Sequence, residues 1–208
     1  MARIAILGGT GKLGQRLATR SLELGFRVNV LGRDLTQVRI QNEGLSLMAG
    51  NAETGQGLDT AFSGCAYVVC CIGSLSPVLD RVMQEVIPRL EDHKLLKRFV
   101  FVSRLGTGES RDQARLVSGP LQSALPVLLM PIFKDINLAE ARVRASKLPY
   151  TILRSTRLTD GPATGGVVAV GPRDAPPHRV TRADLADYVV KLIQSTDALR
   201  GEVTVGSR

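Results

Sequence analysis

The residues best suited to chemistry lie near the start of the chain. Gly8, Gly11 and Gly14 are spaced G-x-x-G-x-x-G within "ILGGTGKLGQRL", residues 6–17. Only the first interval departs from G-x-G-x-x-G, and each glycine keeps a physical role. Gly8 permits a tight turn after a strand. Gly11 lets a pyrophosphate approach the backbone, and Gly14 lets the next helix pack closely on that strand. Free N–H groups at a helix start attract an anion. Lys12 adds positive charge there, and Gly9, Thr10 and Leu13 complete the turn. The expected ligand is the pyrophosphate of a dinucleotide.

A second feature is "VLGRD", residues 30–34. NAD-binding domains place an acid at this strand end to hold the ribose hydroxyls. Here Arg33 comes first and Asp34 follows. A guanidinium forms charge-assisted hydrogen bonds with a 2′-phosphate, so NADP(H) is favoured. Asp34 keeps NAD(H) open. Three further strand ends read "AGNA", "CIGSLS" and "FVSRLG". In a doubly wound fold they lie over adenine, ribose and nicotinamide. Asn51 and Ala52 are then candidates at the adenine, and Ile72 and Gly73 at the ribose. Ser103 is a candidate beside the nicotinamide or substrate. Tyr67, Tyr150 and Tyr188 are followed four places on by Cys71, Arg154 and Leu192, so no Tyr-x-x-x-Lys pair exists. His93 reads as a solvated residue at a helix end, and with His178 it makes no acid–base pair.

The elements that must position these residues alternate in type. "RIAILG", "RVNVLG", "LSLMAG", "AYVVCCIG", "RFVFVS" and "YTILR" are short apolar runs read as buried strands. Between them lie helical stretches at "KLGQRLATRSLELG", "SPVLDRVMQEVIPRLEDHK" and 134–147, with shorter ones expected at "LTQVRIQ" and "TGQGLDTAF". "GVVAVG" reads as an accessory strand. "TRADLADYVVKLIQS" opens with Thr181 as N-cap and Asp184 three places on, like a capping box with a shorter acid. Continuously apolar strands alternating with helices indicate a parallel sheet covered on both faces. The expected fold class is α/β: a Rossmann-like doubly wound parallel sheet, residues 1–208 forming one domain with a small C-terminal substrate-side extension. The irregular stretch 104–133 falls at the carboxyl edge, where such folds bind ligands.

Composition narrows the partners. Net charge is +8, with 44% hydrophobic and only 4% aromatic residues. The basic residues form no run of five or six, which suits a solvated surface or an anionic small molecule over nucleic acid. Cys65, Cys70 and Cys71 lack metal-ligand spacing. With no signal-peptide pattern and no apolar run of the roughly 18–20 residues a bilayer needs, a cytoplasmic protein without membrane contact is expected. A monomer or small homo-oligomer is expected.

Several segments carry a resemblance: "IAILGGTGKLG", "VNVLGRD", "FVFVS", "AEARVRASKLPYTILRSTRLTDGPATG" and "HRVTRADLADYVV". Over nearly the whole chain they resemble the atypical short-chain dehydrogenases/reductases of the NAD(P)-binding, NmrA-like group, and most closely the biliverdin IXβ reductase/flavin reductase family. The resemblance implies an NADPH-dependent oxidoreductase that reduces flavins, FMN or FAD, and linear tetrapyrroles. Flavin is then a substrate rather than a tightly held cofactor. It implies that Gly8–Gly14 hold the phosphates, that Arg33 binds the 2′-phosphate, and that Ser103 lies beside nicotinamide and substrate. It further implies that the strand-six loop, matched by Arg154–Leu158 and including Thr156 and Arg157, borders the nicotinamide. Catalysis by positioning needs no Tyr-x-x-x-Lys. Arg157 stands where the family has a histidine. With Arg179, it is a candidate for an anionic substrate group or a flavin phosphate. Lys134 stands at the start of a helix where isoflavone-reductase-like enzymes keep an acid–base lysine. Two other readings share the fold: an NmrA-like NADP(H)-sensing regulator without catalysis, and a nucleotide-sugar epimerase or dehydratase.

Overall fold

Apolar runs bounded by glycine become strands, and the amphipathic stretches between them become helices on either face. The computed structural model describes residues 1–73, 76–114, 129–171, 174–195 and 201–207. Much of the expected irregular stretch, 115–128, lies outside the described residues. The strands are β1 (Arg3–Leu7), β2 (Arg27–Gly32), β3 (Leu45–Ala49), β4 (Tyr67–Cys70), β5 (Arg98–Arg104), β6 (Tyr150–Ser155), β7 (Arg157–Thr159), β8 (Val167–Val170), β9 (Arg179–Thr181) and β10 (Gly201–Ser207). The helices are α1 (Lys12–Glu23), α2 (Leu58–Phe62), α3 (Leu79–Glu91), α4 (Met130–Ala145) and α5 (Arg182–Gln194). The sheet order is β3-β2-β1-β4-β5-β6-β10-β9-β7, with β8 antiparallel to β10. From β3 to β10 along this order every pairing is parallel. This is the expected α/β Rossmann-like sheet, and its strand order reverses at β1 and β4.

Alternate residues of the strands feed two cores. Ala5, Leu7, Val68, Phe99, Phe101 and Ile152 pack under α2, α3 and α4. Ile4, Ile6, Val28, Val30, Val100 and Leu153 pack under α1 and α5. Buried polar groups tie the helices down. Asp135 of α4 accepts hydrogen bonds from the backbone N–H of Leu79 (2.8 Å) and Asp80 (3.0 Å). A neighbouring helix thus satisfies the α3 N-terminus, which has no side-chain cap of its own. Arg98, buried at the sheet's amino edge, donates to the Leu192 carbonyl at 2.6 Å and steadies the end of α5.

Several local expectations are revised. Residues 35–41 form no helix. The Asp34 carboxylate takes the Thr36 amide (3.0 Å) and hydroxyl (2.5 Å), so the backbone follows an Asx turn instead. The helix expected from 134 begins at Met130, with Pro131 in its first turn. Lys134 therefore lies one turn inside α4 rather than at its start. His93 is half-buried rather than solvated, with Nε2 2.7 Å from the Cys65 carbonyl. Thr181 caps α5 by accepting from the Asp184 amide at 3.0 Å. The Asp184 carboxylate does not complete the box. It accepts from Thr164, Gly165 and Ser207, tying α5 to the segment before β8 and to β10.

Candidate functional site

Strand register gathers the candidates at one edge. Leu7 pairs with Leu31 and Cys70, Cys70 pairs with Phe101, and Ser103 pairs with Arg154. The glycine turn, Arg33, Ile72, Gly73, Ser103 and Thr156 therefore all follow or close the carboxyl ends of adjacent strands.

The glycine turn is fixed by sterics. Gly8 has φ +84°, and a Cβ there would lie 2.8 Å from the Ile72 nitrogen. A Cβ on Gly14 would lie 2.3 Å from the Gly8 carbonyl oxygen. The start of α1 thus rests directly on the turn. A Cβ on Gly11 would meet only the Gly8 oxygen, at 3.3 Å, and one on Gly73 would meet nothing within 4 Å. Gly11 and Gly73 line open space, whereas Gly8 and Gly14 are packed. No side chain caps α1 and no acid lies in its first turn, so its N-terminus keeps its affinity for an anion. Gln15 donates to the Thr10 carbonyl at 2.9 Å and holds the turn closed. Lys12 donates to Asp160 at 3.2 Å, and Arg182 grips the same carboxylate at 2.9 Å. The hydrogen bond from Lys12, followed by the nearby Arg182 charge, keeps the Asp160 carboxyl below the usual carboxylate range.

At the end of β2, Arg33 is exposed. Asp34 is occupied by its own turn: Oδ1 takes Thr36 and Oδ2 takes Gln37 at 3.0 Å. Those bonds, Thr36 first, hold its carboxyl low. Asn51 Oδ1 likewise accepts the Glu53 amide at 3.0 Å, and Ala52 is buried beside it.

The other half of the edge is built from charge. Ser103 is buried, and its Oγ donates to Glu140 Oε1 at 2.6 Å. Thr107 Oγ1 lies 2.7 Å from the same oxygen. Arg154 meets Glu140 through Nε at 3.2 Å and Nη2 at 2.8 Å, and Arg144 adds a bond at 2.8 Å. Both arginines also grip Glu202. Burial alone would raise the Glu140 carboxyl. The bonds and charge of Arg154, with the Ser103 and Thr107 hydroxyls, outweigh it and hold the group below its ordinary value. A Cβ on Gly108, at φ +52°, would come within 2.4 Å of Glu140 Oε2, so the loop after β5 packs directly on the Glu140 carboxylate.

The structure thus separates the expected site residues. Gly8 to Leu13, Arg33, Ile72 and Gly73 lie around the turn. Ser103 lies two strands from β1. Arg154 is 3% exposed and commits its guanidinium to Glu140 and Glu202. Thr156 is buried, and its Oγ1 has no partner among the described residues. Arg157 is exposed on β7 and pairs in register with exposed Arg179 on β9. Lys134 is exposed on α4 and takes no part in the Ser103 network. Sequence reasoning missed Glu140, Thr107 and Glu202. One signal for Glu140 existed, a charge within the apolar stripe of Ile132, Ile136, Ala139 and Val143.

Comparison with known proteins fits this geometry. A family model described as NAD(P)H-binding matches residues 8–196. The chain belongs to this NAD(P)H-binding family. Within solved structures, the chain is similar to a short-chain dehydrogenase/reductase from Veillonella parvula in complex with NADP. The TM-score is 0.84 at 22% identity, covering 99% of this chain and 94% of that one. It is also similar to ChuY, an anaerobillin reductase from Escherichia coli O157:H7, with TM-score 0.81 at 23% identity over 99% and 97% of the two chains. Among curated relatives, a bifunctional pinoresinol-lariciresinol reductase from Linum usitatissimum is 22% identical over 98% of this chain and 66% of its own length. An isoflavone reductase homolog from Zea mays is 24% identical over 91% and 63%. The chain therefore spans just under two thirds of the length of these two relatives. Among the described residues no helix is long and apolar enough to cross a membrane, and no group of three or more metal-ligating side chains occurs.

Proposed function

We propose that this member of the NAD(P)H-binding family is an NADPH-dependent reductase acting on a conjugated planar acceptor: a flavin, FMN or FAD, or a linear tetrapyrrole. The observation that carries the reading is the edge itself. An open glycine turn at an uncapped helix start lies beside an exposed Arg33, with a polar Ser103 two strands away. The residues fit the cofactor: Gly8 to Leu13 would hold its phosphates, and Ile72, Gly73 and Thr156 would flank the rest. Asp34 is spent on its own turn, which supports Arg33 as the group that meets a 2′-phosphate and hence NADPH over NADH.

When bound, reduced nicotinamide supplies the hydride. The chain's own work is to bind, orient and exclude water at the edge. Burial pushes the Cys65 and Cys70 thiols up to about 12 and holds both protonated. The reductases among the relatives support the same class. In-register Arg157 and Arg179 are proposed to hold an anionic group of the acceptor. The test is consumption of NADPH with FMN, FAD or biliverdin. Turnover with any of them supports the reading. Tight NADPH binding without turnover would sink it and leave an NADP(H)-sensing regulator.

A further inference from the structure

Glu140 has no exposed surface and is gripped by Arg154 and Arg144, so it is ionised and can only accept. A hydroxyl has one proton. That of Ser103 has two possible destinations: Glu140 Oε1 at 2.6 Å or Thr107 Oγ1 at 3.2 Å. The shorter contact has the length of a charge-assisted O–H···O⁻ bond, so the proton goes to Glu140. The Thr107 proton is also used, toward Glu140 Oε1 or the Arg104 carbonyl, each at 2.7 Å. Ser103 therefore retains only lone pairs for any ligand at the edge.

We propose that Glu140 is a positioning residue that fixes Ser103 as a hydrogen-bond acceptor, so that the site selects a bound ring bearing an N–H donor. That identity of the ring rests on the reductase reading. The donor is either the cofactor's carboxamide or a ring N–H of the acceptor. Ser103 then has no proton to give, and any proton the reduced acceptor needs comes from elsewhere. Arg154 and Arg144 act one step further back, by keeping Glu140 charged.

The experiment compares ligands that differ only in this donor. In the first arm, NADPH is titrated against its 3-acetylpyridine analogue, whose acetyl group has no N–H. In the second, lumiflavin is titrated against its N3-methyl form on protein saturated with NADP. Wild type is expected to prefer the N–H ligand about five- to tenfold in one arm, the worth of one hydrogen bond. A preference in the first arm makes the cofactor the donor, and one in the second makes it the acceptor. Ser103→Ala should abolish the preference. Glu140→Gln should abolish or invert it, and the double variant should match Ser103→Ala alone, because the two residues act as one unit. A merely structural Glu140 would change affinity for both ligands of a pair alike. Should Glu140→Gln not fold, Glu140→Asp keeps the charge for the arginines but draws it back from Ser103, and should reduce the preference. An unchanged ratio in Ser103→Ala in both arms overturns the proposal, as does a Glu140→Asp or Glu140→Gln protein with the wild-type ratio. Intact ratios without NADPH consumption would sink the reductase reading while leaving the polarity of Ser103 standing.

Discussion

The two halves of the carboxyl edge are built by opposite means. Around Gly8–Gly14 there is almost no side chain: the turn works because Cβ atoms are missing where Ile72 and the Gly8 carbonyl press in. Around Ser103 there is almost nothing but side chain, with Glu140 and Arg144 from α4, Arg154 from β6, Glu202 from β10 and Thr107 from the loop after β5. The first half is shaped by sterics and oriented backbone, with no buried charge in the turn itself. The second depends on buried charge, which costs desolvation and is stable only while every partner is present. An edge divided this way can hold a cofactor by a rigid backbone cradle and tune the reacting side separately.

That contrast can be broken at several points. The largest effect is expected from Glu140→Ala, which leaves buried Arg154 with Glu202 as its one remaining carboxylate among the described residues. Loss of one partner of a buried pair costs about 3–5 kcal/mol, read as a drop in the urea midpoint. Next is Gly14→Ala, whose Cβ would meet the Gly8 oxygen at 2.3 Å. Overpacking should cost about 1–3 kcal/mol and weaken NADPH and NADH alike in a binding titration. Arg33→Ala should weaken NADPH by about ten- to a hundredfold, the value of a hydrogen bond to a charged group, with little change for NADH. Equal losses would remove the 2′-phosphate assignment.

A smaller effect concerns pH. The folded Glu140 carboxyl is held below its ordinary value, so its contribution to stability is present above the unfolded value of about 4.3. It is lost as pH falls through the lower, folded value. Thermal midpoints of wild type and Glu140→Gln should therefore differ by a constant amount near neutrality and converge in acid. The smallest effect is expected from Lys12→Ala, because its pair with Asp160 is exposed and screened by solvent. Its stability should be nearly that of wild type.

The same contrast explains what could be read from the sequence. The glycine turn is local, with every residue within one strand, turn and helix start, so its spacing is visible in 6–17. Apolar strands alternating with amphipathic helices make the doubly wound parallel sheet accessible, though not its strand order. The Ser103 cluster is non-local. Glu140 lies 37 residues from Ser103, and Glu202 lies 48 from Arg154. Nothing in "FVSRLG" indicates which acid will reach it. Arg154 illustrates the cost: its position at the carboxyl end of β6 is legible, but the direction of its guanidinium, into Glu140, depends on a partner helix. Residues 35–41 failed for a different reason, because Asp34 offered the backbone a turn that competed with the helix.

The most direct test of the account is to mix the protein with NADPH and FMN and follow the reduced-nicotinamide absorbance. The account predicts acceptor-dependent loss of that band, slower with NADH and slowed for NADPH by Arg33→Ala. Tight NADPH binding with no loss of the band for FMN, FAD or biliverdin would contradict it.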